Sequence, residues 1–126
     1  MKTLILMAAM LVALPAYAVD ADEISRITGE IERLQSAGVS MHKKYNLAYD
    51  DHFMRCAQES RPLRAQAKPL REQAMKLNTM AYRVKLVQAA DDVFVCVYCS
   101  ESAVKSCGLI PPVTKEVRQW LTSEVE

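Results

Sequence analysis

Glycine is scarce in this sequence: Gly29, Gly38 and Gly108 are the only three in 126 residues, and aromatic side chains make up 6%. A sheet of short strands needs many tight turns, which glycine supplies, and draws on aromatic and β-branched residues to cover its faces. A tight-turned β-sandwich is therefore excluded and helices are favoured. No apolar run reaches the roughly 20 residues that span a bilayer. A Gly-rich phosphate loop, a serine-centred elbow and a His-Glu-x-x-His pattern are all missing, so no motif assigns catalysis and the chain reads as a non-enzyme.

What is present starts with an export leader. Met1-Lys2-Thr3 is followed by apolar residues from Leu4 to Pro15, then Ala16-Tyr17-Ala18 before the acidic stretch Asp20-Ala21-Asp22-Glu23. One positive charge, a short apolar core and small residues ahead of the cut predict a signal peptide over residues 1–18, cleaved after Ala18. With no cysteine beside the cut, a lipid anchor is not expected. The remaining 19–126 suit a single domain, periplasmic or secreted. Lys2 leaves with the leader, so 15 basic side chains face 15 acidic ones and the net charge is zero. Such a molecule is not built as a general polyanion binder, and nucleic acid is not an expected partner.

Helical periodicity runs through that domain. Ile24, Ile27, Ile31 and Leu34 recur at 3, 4, 3 spacing behind an acidic first turn, with Gly38 as the expected stop. A second stripe, Met41, Tyr45, Ala48, Tyr49, His52, Phe53, Cys56, is expected to end at Ser60-Arg61-Pro62. The one internal repeat follows, Arg61-Pro62-Leu63-Arg64-Ala65-Gln66-Ala67 and Lys68-Pro69-Leu70-Arg71-Glu72-Gln73-Ala74. Its seam, Leu63, Ala67, Leu70, Ala74, Leu77, alternates large and small side chains at coiled-coil spacing. Pro69 is expected to kink that helix or to mark its start. Asn78-Thr79 predicts a break, with Thr79 as N-cap of a helix through Tyr82, Leu86, Ala89, Ala90, Val93, Cys96 and Val97. The β-formers of 93–98 have no partner strand, so they are expected to be helical. Gly108 closes a short helix, and Pro111-Pro112 set off a last segment through Val113, Val117 and Trp120. The expected fold is all-α: a small up-and-down bundle of about four main helices plus short C-terminal ones.

Four cysteines, Cys56, Cys96, Cys99 and Cys107, survive processing, and export makes two disulfides the default. Bonded cysteines need Cα atoms within roughly 7 Å, and a helix rises about 1.5 Å per residue. Cys96 and Cys107 therefore meet only if the chain folds back near Ser100-Glu101. Cys56 reaches Cys99 only if the chain also reverses near Asn78-Thr79, since one straight helix over 63–99 would put them about 50 Å apart. Cys56–Cys99 with Cys96–Cys107 is the favoured pairing, followed by Cys56–Cys96 with Cys99–Cys107.

Charge patterning supplies the candidate partner site. Residues 55–85 carry eight basic against two acidic side chains, and Arg61, Arg64, Lys68 and Arg71 form a ridge at 3, 4, 3 spacing. The ridge either pairs with the acidic first helix, or faces solvent, or docks an acidic envelope protein or anionic polymer. The leading expectation is an exported binding protein such as an inhibitor, an immunity partner, a chaperone or a secretion or transfer accessory. It needs no cofactor and no metal. A thiol-redox or metal-handling protein using Cys96, Cys99 and His52 is the runner-up. A self-associating envelope protein, with a homodimer through the Leu/Ala seam, is the third reading. For the exported protein, intact mass is expected to give an N-terminus at Val19, no alkylation before reduction and four alkylated thiols after it. An uncut leader or a free thiol would overturn the corresponding half of this reading.

Overall fold

The computed structural model describes residues 2–125, and describes side chains over 20–123. The expected leader, 1–18, lies outside the residues whose side chains are described. Five helical segments follow one another: α1 (Lys2–Lys44), α2 (Asp50–Ala67), α3 (Leu70–Met75), α4 (Met80–Cys96) and α5 (Glu101–Val125). There is no strand among the described residues, and no helix there is long and apolar enough to cross a membrane. α2 and α3 form one arm broken at Lys68-Pro69, so four arms run up and down as expected. The break sits where Pro69 has no N–H to continue the ladder.

The apolar stripes meet in one core. Ile24, Ile27, Ile31 and Leu34 of α1 face Ala67, Leu70, Ala74 and Leu77 of the repeat, together with Tyr82, Leu86, Ala89, Ala90 and Val93 of α4 and Ile110, Val113 and Val117 of α5. Fully burying one such aliphatic side chain is worth about 1.5–3 kcal/mol. The Leu/Ala seam is thus spent inside the chain, and in this fold a second copy has no access to it. The repeat has a further meaning. Its two glutamines, Gln66 and Gln73, accept hydrogen bonds from Arg33 and Arg26 respectively, the second at 2.9 Å. Seven residues separate the members of each pair, so antiparallel arms bring both into register.

Three expected helix ends are not ends. α1 continues through Gly38 to Lys44. The chain turns instead at 45–49, where the Asn46 carboxamide accepts the Ala48 N–H at 3.0 Å and the Asn46 carbonyl accepts the Tyr49 N–H at 3.1 Å. α2 runs through Pro62, whose missing donor frees a carbonyl on the exposed side of the arm. α5 runs through Gly108, Pro111 and Pro112. Pro111 frees the Cys107 carbonyl, and the Gln35 carboxamide N–H donates to that oxygen at 3.2 Å. Thr79 precedes α4 as expected but does not cap it; its hydroxyl donates to Asp20 at 3.5 Å.

Both favoured disulfides are formed, Cys56–Cys99 and Cys96–Cys107, with Cα atoms 6.0 Å and 4.7 Å apart. The reversals they require are present at 76–79 and 97–100. Gly38 lies against the second bridge: a Cβ there would stand 2.6 Å from Cys96 Sγ and 3.0 Å from the Cys96 carbonyl oxygen. That approach is why the glycine is mid-helix. Replacing a helical glycine by alanine ordinarily stabilises by up to about 1 kcal/mol. At Gly38→Ala the overlap with sulfur and backbone is expected to reverse the sign, a loss of about 1–3 kcal/mol. Gly108→Ala, with open space around its Cβ, is expected to gain roughly 0.5–1 kcal/mol. Urea unfolding of the two variants checks both, and a stabilised Gly38→Ala would show that the contact is not tight.

Candidate functional site

The second disulfide-bonded end of α4 builds the surface on which the basic residues stand. α4 stops at Cys96, leaving carbonyls without helical partners. The His42 Nε2–H donates to the Cys96 carbonyl at 2.7 Å, and the buried Ser60 hydroxyl of α2 donates to the Val97 carbonyl. One turn before Ser60, the fully buried Cys56 is bonded to Cys99. α2 is thereby held across the 97–100 turn by a covalent bond and a buried hydrogen bond. Arg61 and Lys68 stand exposed away from that anchorage, while Arg64, one turn after Ser60, reaches back to the 97–100 turn.

The four expected ridge residues separate into two groups. Arg61 and Lys68 are exposed and have no ion-pair partner among the described residues. Arg64 lies over the ring of Tyr98, 4.8 Å from its centroid, with its Nε buried and unbonded. Arg71 stands beyond the Pro69 break, so the ridge is not one continuous row, and its Nε pairs with Asp91 of α4 at 3.1 Å. The acidic first helix pairs with none of them. Glu23 and Glu30 take Arg26 and Arg33 of α1 itself, at i, i+3, and Glu32 takes Arg118 of α5.

Tyr98 was not among the residues singled out in the sequence, where the basic residues carry no interleaved aromatics. The signal for it was the disulfide pairing. Tyr98 precedes Cys99, and a Cys56–Cys99 bond carries whatever stands beside Cys99 to the side chains two turns beyond Cys56. Phe94, one turn back, meets Tyr98 edge-on at 5.3 Å and helps to fix its ring. A guanidinium over an aromatic face gains about 0.5–2 kcal/mol, more as it is desolvated.

The metal and redox candidates do not come together. Cys96 and Cys99 bond to separate partners, not to each other, and no cysteine is free. Met41 and Met54, soft ligands close to His42 and His52 in sequence, are apart: Met41 is buried in the bundle and Met54 is exposed. His52 Nδ1 accepts the Asn46 N–H at 2.9 Å and its ring packs against Tyr45 and Tyr49. His42 and His52 line one open cleft of about 620 Å³ with Lys43, Lys44 and Glu101. Even so, no group of three His, Cys, Asp or Glu among the described residues is arranged to hold a metal ion. At the same corner Lys44 and Tyr45 hold the Glu59 carboxyl below the usual carboxylate range, and the Lys44–Glu59 pair, at 2.9 Å, closes α1 on α2.

Two pairs of adjacent aspartates, Asp50-Asp51 and Asp91-Asp92, stand on the helices; Asp50 and Asp51 are exposed in the first turn of α2, where the helix dipole favours them. Asp91 takes Arg71. Asp92 is half-buried, and burial first, then the neighbouring Asp91 charge, push its carboxyl above the usual range. As pH rises, the unfolded chain loses this proton before the folded one does. Stability therefore falls through the interval above the ordinary carboxylate value and stays lower once Asp92 is ionised. Asp92→Asn is expected to raise the urea midpoint at about pH 7 and to leave it unchanged near pH 3, below the ordinary range. Equal midpoints at neutral pH would mean that Asp92 ionises without cost. No family model matches this chain, and no curated protein or solved structure matches it.

Proposed function

We propose that this chain is an exported, disulfide-stapled interaction protein that binds another envelope protein through the outer face of α2. One observation carries the reading: Arg61, Arg64 and Lys68 stand on successive turns of one helix with no carboxylate partner among the described residues. Elsewhere Arg26, Arg33, Lys44, Arg71, Lys85 and Arg118 each have one; Lys43, Arg55, Lys76, Arg83, Lys105 and Lys115 also lack one, but no three of them stand on successive turns of one helix. Unpaired charge of one sign on a rigid helix steers and orients an oppositely charged partner, raising the on-rate and setting the register. Arg61 and Lys68 are exposed and take no part in core packing, and α2 holds its place through Cys56 and Ser60.

An inhibitor, an immunity partner, a chaperone or a secretion accessory would each use such a face. The common requirement is a protein partner in the same compartment, which the export leader and the two disulfides favour. A photo-crosslinking residue placed at Arg61 or Lys68 of the exported protein is expected to give a discrete adduct in intact cells. The same residue at Lys115, on α5, is expected to give none. The adduct should disappear when the remaining ridge cations are reversed to glutamate. Identical adducts from Lys115, or adducts that survive charge reversal, would remove the α2 face as the docking site.

A further inference from the structure

We propose that the element received by this face is an acidic helix of the partner, lying along α2 over Ala65, with carboxylates taken by Arg61, Arg64 and Lys68; this rests on the reading of α2 as the docking face. The first support is the state of Arg64. Its guanidinium carbon lies over the Tyr98 ring, 4.8 Å from the centroid, and its Nε is buried without a bond. The Nη donors are left to meet a partner. A planar fork held this way recognises a carboxylate with little ordering cost, because the side-chain entropy is already lost to the ring.

The second support is the shape between the charges. Arg61 and Lys68 are seven residues apart, about 10 Å along the helix axis. Between them the exposed residues are Pro62, Ala65 and Gln66, of which the first two have short side chains and Gln66 is turned to Arg33 of α1. A methyl group at the centre of the face allows a second helix to approach to the 8–10 Å at which helices pack. Side chains three, four and seven residues apart share one face of a helix, so carboxylates at that spacing on the partner meet cations at 3 and 4 spacing on α2. Glu72, one turn past Lys68, stands beyond the Pro69 break on α3, where Arg71 is already paired with Asp91.

The third support is the extent of the charge. Binding to a polyanion or an anionic bilayer grows with the number of cations engaged, and sequence-tolerant polyanion binders commonly use about 6–10. Three cations over about 10 Å make a poor polyelectrolyte site and a suitable site for one protein element.

The probe is a synthetic helical peptide with glutamates at i, i+3 and i+7 on one face, compared with a peptide of the same composition whose glutamates are spread around the helix. Binding to the mature protein is read by fluorescence anisotropy at fixed salt. The patterned peptide is expected to bind about tenfold more tightly, the worth of one oriented charged contact. Two variants keep the charge unchanged. Tyr98→Leu removes the stack under Arg64 and is expected to weaken the patterned peptide about threefold to tenfold. Ala65→Phe fills the gap between the cations and is expected to weaken it at least as much, at an exposed helical position where folding is not at risk; circular dichroism of both variants confirms the fold. Equal affinity for the two peptides, or unchanged binding by Ala65→Phe, overturns the inference. Tighter binding of phosphatidylglycerol vesicles than of the patterned peptide overturns it in favour of a lipid surface. If the peptide fails while the α2 cross-links persist, the acidic helix falls and the docking face stands.

Discussion

The Cys96–Cys107 disulfide lies against Gly38 with no room for a methyl group between them. That contact sets the spacing of α1, α4 and α5 at once, because the bridge joins the end of α4 to the second turn of α5 and the glycine belongs to α1. The polar groups around it follow. His42 answers the Cys96 carbonyl, Gln35 answers the Cys107 carbonyl freed by Pro111, and both donors come from the same stretch of α1 as Gly38. A buried carbonyl left without a donor costs about 1–3 kcal/mol, so α1 can neither shift nor rotate here without losing two bonds as well as the packing. The bridge itself contributes a few kcal/mol, mostly by restricting the unfolded chain.

α2 is held differently from the other arms. Of its 18 residues only Cys56, Ser60 and Ala67 are buried, so apolar burial alone attaches it weakly. The Cys56–Cys99 bridge, the Ser60 hydrogen bond and the Arg33–Gln66 contact take over that task. The first two lie on the inner side, and the third is at the exposed edge facing α1. A helix fixed by a covalent staple needs few apolar side chains to stay in place, and most of its surface is left to polar and charged residues. This is how a fold with one modest core presents an eighteen-residue helix most of whose surface is exposed.

The legible part of the fold was what depends on periodicity and on distance along the chain. Ile24 to Leu34, the Leu63 to Leu77 seam and Tyr82 to Val97 are buried where their spacing placed them, and the disulfide pairing followed from how far a helix extends. Helix ends were less legible. Gly38, Pro62, Gly108 and Pro111-Pro112 carry the local chemistry of a stop, yet each is helical. At Gly38 a sulfur requires the missing side chain. At Pro111 a glutamine from another helix accepts the lost bond's duty. Tertiary partners of that kind have no trace in a local window. The candidate site divides in the same way: the positions of Arg61, Arg64 and Lys68 were legible, while the ring under Arg64 and the aspartate on Arg71 came from chain segments brought in by folding.

Neutrality of the whole and basicity of one face are compatible because six of the carboxylates are engaged with other cations. Glu23 and Glu30 sit three residues before Arg26 and Arg33, the local spacing that pairs most readily on a helix. Glu32, Glu59, Asp91 and Glu116 take Arg118, Lys44, Arg71 and Lys85. Each exposed pair is worth at most about 1 kcal/mol, so stability is a weak reason for the set. Its effect on the field is larger. Paired charges cancel within a few ångströms, and at physiological salt the screening length is about 8 Å. Carboxylates already matched on α1, α3–α4 and α5 do little to offset the potential over Arg61 to Lys68. The arrangement that makes the chain neutral overall is therefore the one that leaves the C-terminal half of α2, from Arg61 to Lys68, with a positive field.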